Sequence, residues 1–261
     1  MTQMLQMKSK LLIFILILPV LILALPNPLY GQVKQSHEVV LGSLQLKDEN
    51  NLGMVFSGAH LEYRYGAQWK INVHEIQYQL KVGFGLAWNR GMIGGQIHIA
   101  PINVTWTMSF YEKNGHTIRA GANFITDYNY HLTQLHDGTM FYTAELGVSP
   151  VIQYGYQWNN KRINVRLQNS IFGFSSHRQG YDPYNFLFTW KEFVIYPHRD
   201  LKFGSFNQYN HTTVSFEFVP NIAKKHSIVY EFDYLGFYKG NRFHRINHNL
   251  IWRISLCGKK G

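Results

Sequence analysis

Residues 76–88 read Ile-Gln-Tyr-Gln-Leu-Lys-Val-Gly-Phe-Gly-Leu-Ala-Trp. Every even position is large and apolar: Ile76, Tyr78, Leu80, Val82, Phe84, Leu86 and Trp88. Every odd position is polar or small: Gln77, Gln79, Lys81, Gly83, Gly85 and Ala87. A period of two over this length marks a strand with one apolar face and one polar face. Ordinary strands run about 5–6 residues, whereas a tilted strand crossing a bilayer needs about 9–11. The stretch therefore predicts a transmembrane β-strand. Tyr78, Leu80, Val82, Phe84 and Leu86 are predicted to be accessible on the outside, and Gln77, Gln79 and Lys81 to face a lumen.

The same alternation recurs along the chain. Ile97 and Ile99 lie on one parity, and Ile102, Val104, Trp106, Met108 and Phe110 on the other. The switch falls at Ala100-Pro101, where a proline suits a bulge. Residues 140–158 are the longest alternating run, and Leu250, Trp252, Ile254 and Leu256 mark a last strand. Turn signals separate the runs at Asn114-Gly115, Asn159-Asn160 and Gly240-Asn241, with Asp137-Gly138 in a longer loop. The reading is an all-β, antiparallel transmembrane barrel of about twelve strands, with ten as the alternative; an even number suits a single-chain bacterial barrel. The strands are placed near 39–46, 55–66, 71–88, 93–111, 116–130, 139–158, 161–174, 184–194, 200–207, 211–219, 226–238 and 242–256. A soluble β-sandwich is the competing fold, and it would bury the even row of 76–88. Short turns at 65–70, 113–116 and 158–161 are predicted to be periplasmic. The longer connections at 47–54, 131–138 and 175–183 are predicted to be extracellular.

Lys8 and Lys10 precede an apolar run at 11–25, and residues 26–31 lead to a cleavage point near Gly31. This is the pattern of a secretory signal peptide, with an uncleaved anchor as the alternative. The organisation is then a leader, 1–31, and one barrel domain, 32–261. No later stretch of about 18 apolar residues would span a membrane as a helix. Aromatic residues make up 16% of the chain, which suits interfacial girdles. The formal net charge is +10, but the positive residues are scattered. That argues against nucleic acid and for anionic lipid headgroups and lipopolysaccharide phosphates as partners. A single cysteine, Cys257, excludes an intrachain disulfide and a cysteine-based metal site. No cofactor or metal is expected.

If the apolar rows face lipid, Glu62, Arg64, Arg119, Glu145, Arg162, Arg166, Glu217, Glu231, Asp233, Arg245 and Arg253 point inward. Six arginines against five acids fit an internal charge network, because a buried charge without a partner costs several kcal/mol. Either the network is a structural plug or it lines a selective pore for small solutes. With Arg245 and Arg253 on the next strand, at least one of Glu217, Glu231 and Asp233 is expected to form a direct salt bridge to an arginine inside the barrel. Small residues on the same rows, Gly83, Gly85, Gly121, Gly147 and Gly155, would make room for large neighbours. A lipid-modifying barrel enzyme of phospholipase, deacylase or acyltransferase type is the alternative function. It would need a His beside a Ser, Thr or Asn near the outer rim. His244, His248 and His211 are the candidates, and an interfacial histidine held at headgroup level is the competing reading of them. No nucleophile elbow, zinc motif or phosphate loop is present in the sequence.

Several segments are similar to a family of Bacteroidota outer-membrane β-barrels of unknown function. They are residues 39–66, the run Arg119-Ala-Gly-Ala-Asn-Phe, the run from Ser170 through Gly180-Tyr181 to Phe188, Phe203-Gly-Ser-Phe-Asn, and the closing His244-Arg-Ile-Asn-His248-Asn-Leu. The chain departs from the pattern at Gln179-Gly180-Tyr181-Asp182 and in its Cys-Gly-Lys-Lys-Gly end. The resemblance implies an outer-membrane barrel and brings no catalytic residue with it. The expectation from all of this is a monomer in the Gram-negative outer membrane, inserted by the barrel assembly machinery, with a structural or narrow-channel role.

Overall fold

A computed structural model of the chain describes residues 33–48, 53–133, 140–180, 198, 201–205, 208–223, 225–239 and 242–257. The strands are β1 (Lys34–Asp48), β2 (Val55–Ile71), β3 (His74–Asn89), β4 (Met92–Lys113), β5 (His116–Thr133) and β6 (Met140–Trp158). They are followed by β7 (Lys161–Asn169), β8 (Phe172–Gly180), β9 (Lys202–Ser205), β10 (Tyr209–Val219), β11 (His226–Phe237) and β12 (Phe243–Cys257). β1 to β7 pair in sequence, β7 pairs β10, and β10 to β12 lead back to β1, all antiparallel. Ten strands thus close a barrel, and β8 and β9 stand outside that ring. β8 carries the line of β7 onward along Met140–Val148 of β6, and β9 pairs with β8.

The barrel is inverted relative to a soluble core. Val82, Phe84, Leu86 and Trp88 are 47–58% exposed on the outside, while Glu62, Asn129, Glu145 and Arg245 are 0–3% exposed within. A sandwich would bury the first set, so the competing fold is excluded. Large apolar side chains stand exposed on strand after strand, Leu41, Leu61, Ile152, Phe216 and Leu250 among them. Such a continuous apolar wall is stable against lipid and not against water.

Two outward positions depart from the expectation. Leu80 is half-buried. Tyr78 is 8% exposed, and its hydroxyl donates to the Pro101 carbonyl at 2.8 Å. The cause is the bulge: between Gln79 and Lys81 on β3, β4 inserts one more residue, spanning Asn103 to Ala100. The extra residue reverses the inward parity of β4, which runs Gly94, Gln96, His98, Ala100 before it and Asn103, Thr105, Thr107 after it. Tyr78 covers the carbonyl that the bulge exposes.

The turns at 72–73, 114–115 and 159–160 lie at the same end as Lys34 and Cys257. We call it the termini end, and the opposite one the loop end. Asn72, Asn114 and Asn159 have φ of 49–55°, which asparagine tolerates. A turn at 65–70 is not formed, because β2 continues to Ile71. Gly66 there is no breaker. A Cβ on it would lie 2.4 Å from the Ser36 hydroxyl, so the glycine makes room on the inner face. A hairpin at Arg90-Gly91 turns the chain at the loop end. The segment expected at 161–174 is two strands, because one extra residue between Gln168 and Phe172 interrupts pairing with β6. β1 starts earlier than expected, at Lys34, since its polar outward residues sit beside tyrosines; His37 hydrogen-bonds Tyr63. The leader, the strand at 184–194 and the turns at 137–138 and 240–241 lie outside the described residues.

Inside the loop end, Leu44, Leu46, Phe56, Ala87, Tyr209, Leu235, Phe237 and Phe243 form a buried apolar cluster. Tyr209 and Phe237 stack with centroids 6.1 Å apart. This larger apolar cluster is therefore a lid across one end of the lumen. Val40, Val229 and Ile251 form a second, smaller one, and polar side chains line most of the rest.

Candidate functional site

The middle of the lumen holds a continuous chain of charged groups, each on an inward row. Arg64 of β2 reaches across the barrel to β11, where its two terminal nitrogens donate to the Glu231 carboxylate at 3.1 and 2.8 Å. Its Nε donates to Glu62. The other oxygen of Glu62 accepts from His98 Nδ1 at 2.5 Å, and His98 Nε2 lies 3.0 Å from Asp127. Arg245 stands beyond, donating to Asn129 at 2.5 Å and to Asp233 at 2.8 Å, with Asp127 at 3.8 Å. Asp233 meets His211 Nε2 at 2.8 Å, and His211 Nδ1 meets Glu145 at 2.6 Å. Ser170 donates to Glu145 at 2.8 Å and lies 3.1 Å from Ser149. The line runs from β11 through β2, β4, β5, β12 and β10 to β6.

His98 and His211 are each clamped between two carboxylates. Both contacts are satisfied only when both ring nitrogens donate, which is the imidazolium form. The two rings then act as cations beside Arg64 and Arg245, and the carboxylates between them are never left without a donor. The glycines beside the acids make this possible. A Cβ on Gly83 would lie 3.1–3.3 Å from the Glu62 side chain, and one on Gly147 2.5 Å from Glu145. These small residues make room for carboxylates.

Toward the termini end the lumen opens into a polar cavity of about 440 Å³. Arg253 donates to Glu38 and to Glu217, each at 2.7 Å. Glu217 also accepts from Asn164 at 2.6 Å and Ser227 at 2.8 Å. Arg119 pairs with Glu75. Arg166 has a different environment: it donates to Thr105 and Gln168, each at 2.8 Å, and to Gln77 at 3.4 Å.

All eight residues singled out as a lumen network therefore lie within: Glu62, Arg64, Glu231, Asp233 and Arg245 in the central line, and Arg166, Glu217 and Arg253 around the cavity. Glu217, Glu231 and Asp233 each pair directly with an arginine, although Glu231 takes Arg64 and not the arginines of β12. Sequence reasoning missed Glu38, Glu75, His98 and Asp127. The signal was in the parity. His98 alternates with the outward Ile97 and Ile99, and Asp127 continues the inward row of Arg119, Gly121 and Asn123.

The three candidate histidines are not gathered into one site. His211 is buried in the lumen, 4% exposed. His248 and His244 face outward, hydrogen-bonded to Tyr230 at 2.7 Å and Tyr234 at 3.0 Å. Tyrosine stands where a lipid-modifying enzyme would need a nucleophile or an oxyanion-stabilising amide. The buried set Ser170, Glu145, His211 contains the residue types of a catalytic triad in the wrong order. The carboxylate lies between serine and imidazole, so the ring cannot take the serine proton. Among the described residues, no group of three or more His, Cys, Asp and Glu is arranged to hold a metal ion.

An apolar wall around a charged interior, closed by antiparallel strands in a ring of ten, defines the fold of the Gram-negative outer-membrane β-barrels. No family model and no curated protein matches the chain. Among solved structures it is similar to the outer membrane protease OmpT from Escherichia coli, 7% identical, over 90% of this chain and 99% of that one, with a TM-score of 0.57. The translocator domain of the autotransporter NalP from Neisseria meningitidis is 5% identical over 87% of this chain and 90% of that one, with a TM-score of 0.41. At 7% identity the likeness to OmpT extends to the fold and not to activity.

Proposed function

We propose that the protein is a closed barrel of the outer membrane with a structural role, its lumen sealed by the charge network and the apolar lid. The leader at 1–31 would direct export, the barrel assembly machinery would insert the chain, and lipid and lipopolysaccharide would surround a monomer. The observation that carries this reading is the unbroken line from Glu231 to Ser149. Its members Glu62, Arg64, Asp127, Glu145 and Arg245 are all 3% exposed or less. Water-filled channels keep their lining charges wet; these are buried and paired with one another. The narrow-channel reading would need that line to part.

Planar-bilayer recording tests the proposal. The unmodified barrel should give no steady open conductance. Glu231→Gln, which releases one side of the Arg64 clamp, should give intermittent leak currents or a less stable barrel. A wide and steady conductance in the unmodified protein would refute the seal and leave the pore reading in its place.

A further inference from the structure

The cavity at the termini end does more than end the lumen. Its arginines fall into two sets. Arg64, Arg119 and Arg253 are matched by Glu62 and Glu231, by Glu75, and by Glu38 and Glu217. Arg162 and Arg166 belong to none of these ion pairs; Glu217 acts on Arg162, and Glu231, Glu75 and Glu38 on Arg166, only from beyond contact distance. The Thr105, Gln168 and Gln77 oxygens hold the Arg166 guanidinium in place without neutralising it. Arg162 Nε is buried with no hydrogen-bond partner among the described residues. Both side chains project from the same inward face of β7, four residues apart, about 13 Å along the strand. Eight Lys and Arg line the cavity against five Glu, so positive charge is in excess.

A confined guanidinium with no anion in direct contact is left poorly compensated. A barrel that needed only a plug would place an acid beside Arg166, as it does beside Arg253. The planar fork of an arginine matches the two oxygens of a carboxylate or phosphate. The cavity, about 440 Å³, is within the range of about 300–1,000 Å³ that small-molecule sites occupy. Gln153, Asn103 and Ser215 add neutral hydrogen-bonding groups to its wall. We infer that this cavity is a binding site for a small solute bearing a carboxylate or phosphate group, with Arg166 as its anchor and Arg162 as its second cation. The site opens to the end where β1 starts and β12 stops and is closed behind by the Arg64–Glu231 clamp. It holds its solute and does not pass it on.

Titration calorimetry on the purified barrel in detergent, at fixed ionic strength, tests the site. Inorganic pyrophosphate, citrate and uncharged sucrose are the three probes. One-to-one saturable binding of pyrophosphate or citrate is expected, and none of sucrose. The stronger of the two anions identifies the headgroup chemistry. Arg166→Gln should weaken binding at least tenfold, whereas Lys47→Gln, exposed at the far, loop end of β1, should leave it unchanged. If Arg166→Gln does not fold, Arg166→Lys, which keeps the charge and loses the fork, should bind at least threefold more weakly than the unmodified barrel. No saturable binding of either anion at millimolar concentration, or full-strength binding by the Arg166 variants, overturns the inference. The titration reads the cavity and the bilayer recording reads the seal, so either can fail without the other.

Discussion

Arg245 joins the two histidine-bearing halves of the central network. It is 1% exposed and stands between Asp233, Asn129 and Asp127. Its removal would strand two carboxylates, each still clamping an imidazole on its other side. Arg245→Met is therefore expected to destabilise the barrel by about 3–5 kcal/mol, the range for breaking a buried pair from one side. Glu112→Gln should change stability by less than about 0.5 kcal/mol, as surface substitutions do. Urea unfolding in detergent, followed by tryptophan fluorescence, measures both. Equal stability of the two variants would mean that the lumen charges are solvated by water and not by each other.

At the scale of the element, the barrel depends on how closely its strands approach. A Cβ on Gly121 of β5 would lie 1.9 Å from the Trp106 carbonyl oxygen and 2.7 Å from the Thr107 Cα, both backbone atoms of β4. Neither can move without shifting the ladder. Gly155 of β6 is less constrained, since its nearest neighbour would be the Asn164 side-chain oxygen at 2.9 Å. Gly121→Ala is expected to cost about 1–3 kcal/mol, as overpacking does, and Gly155→Ala less than about 1 kcal/mol. Thermal unfolding monitored by circular dichroism ranks the pair, and the reverse ranking would show that the β4–β5 approach is not the tight one. Bulges act at this scale too. The extra residue at Ala100-Pro101 lets one strand present His98 and Thr105, of opposite parity, to the same lumen.

For the whole molecule, the arrangement of turns predicts sidedness. The termini end, with its two-residue turns, should face the periplasm, and the loop end the cell exterior. In a Cys257→Ser background, Arg90→Cys should react with a membrane-impermeant maleimide on intact cells. Asn114→Cys and Asn159→Cys should react only after the outer membrane is permeabilised. Labelling of the latter two on intact cells would invert the barrel in the membrane, and the anion cavity would then face outward.

Which face each residue takes was legible in the sequence, because a strand's alternation is local. The outward row of 82–88, the parity switch at Pro101, the turn at Asn114-Gly115 and the inward acids and arginines all follow from neighbours two residues apart. The partner of each lumen charge was not legible. Arg64 meets Glu231 across 167 positions and Arg253 meets Glu38 across 215, pairings set by the stagger between strands and by the closure of β1 on β12. The same closure leaves Arg166 among amides and a hydroxyl while Arg253 falls between two carboxylates. Alternation in the sequence determined a barrel with charges inside. Only ring closure decided which of those charges neutralise one another and which two of the cavity's arginines stay outside any ion pair, because contacts across a lumen depend on register around the whole ring.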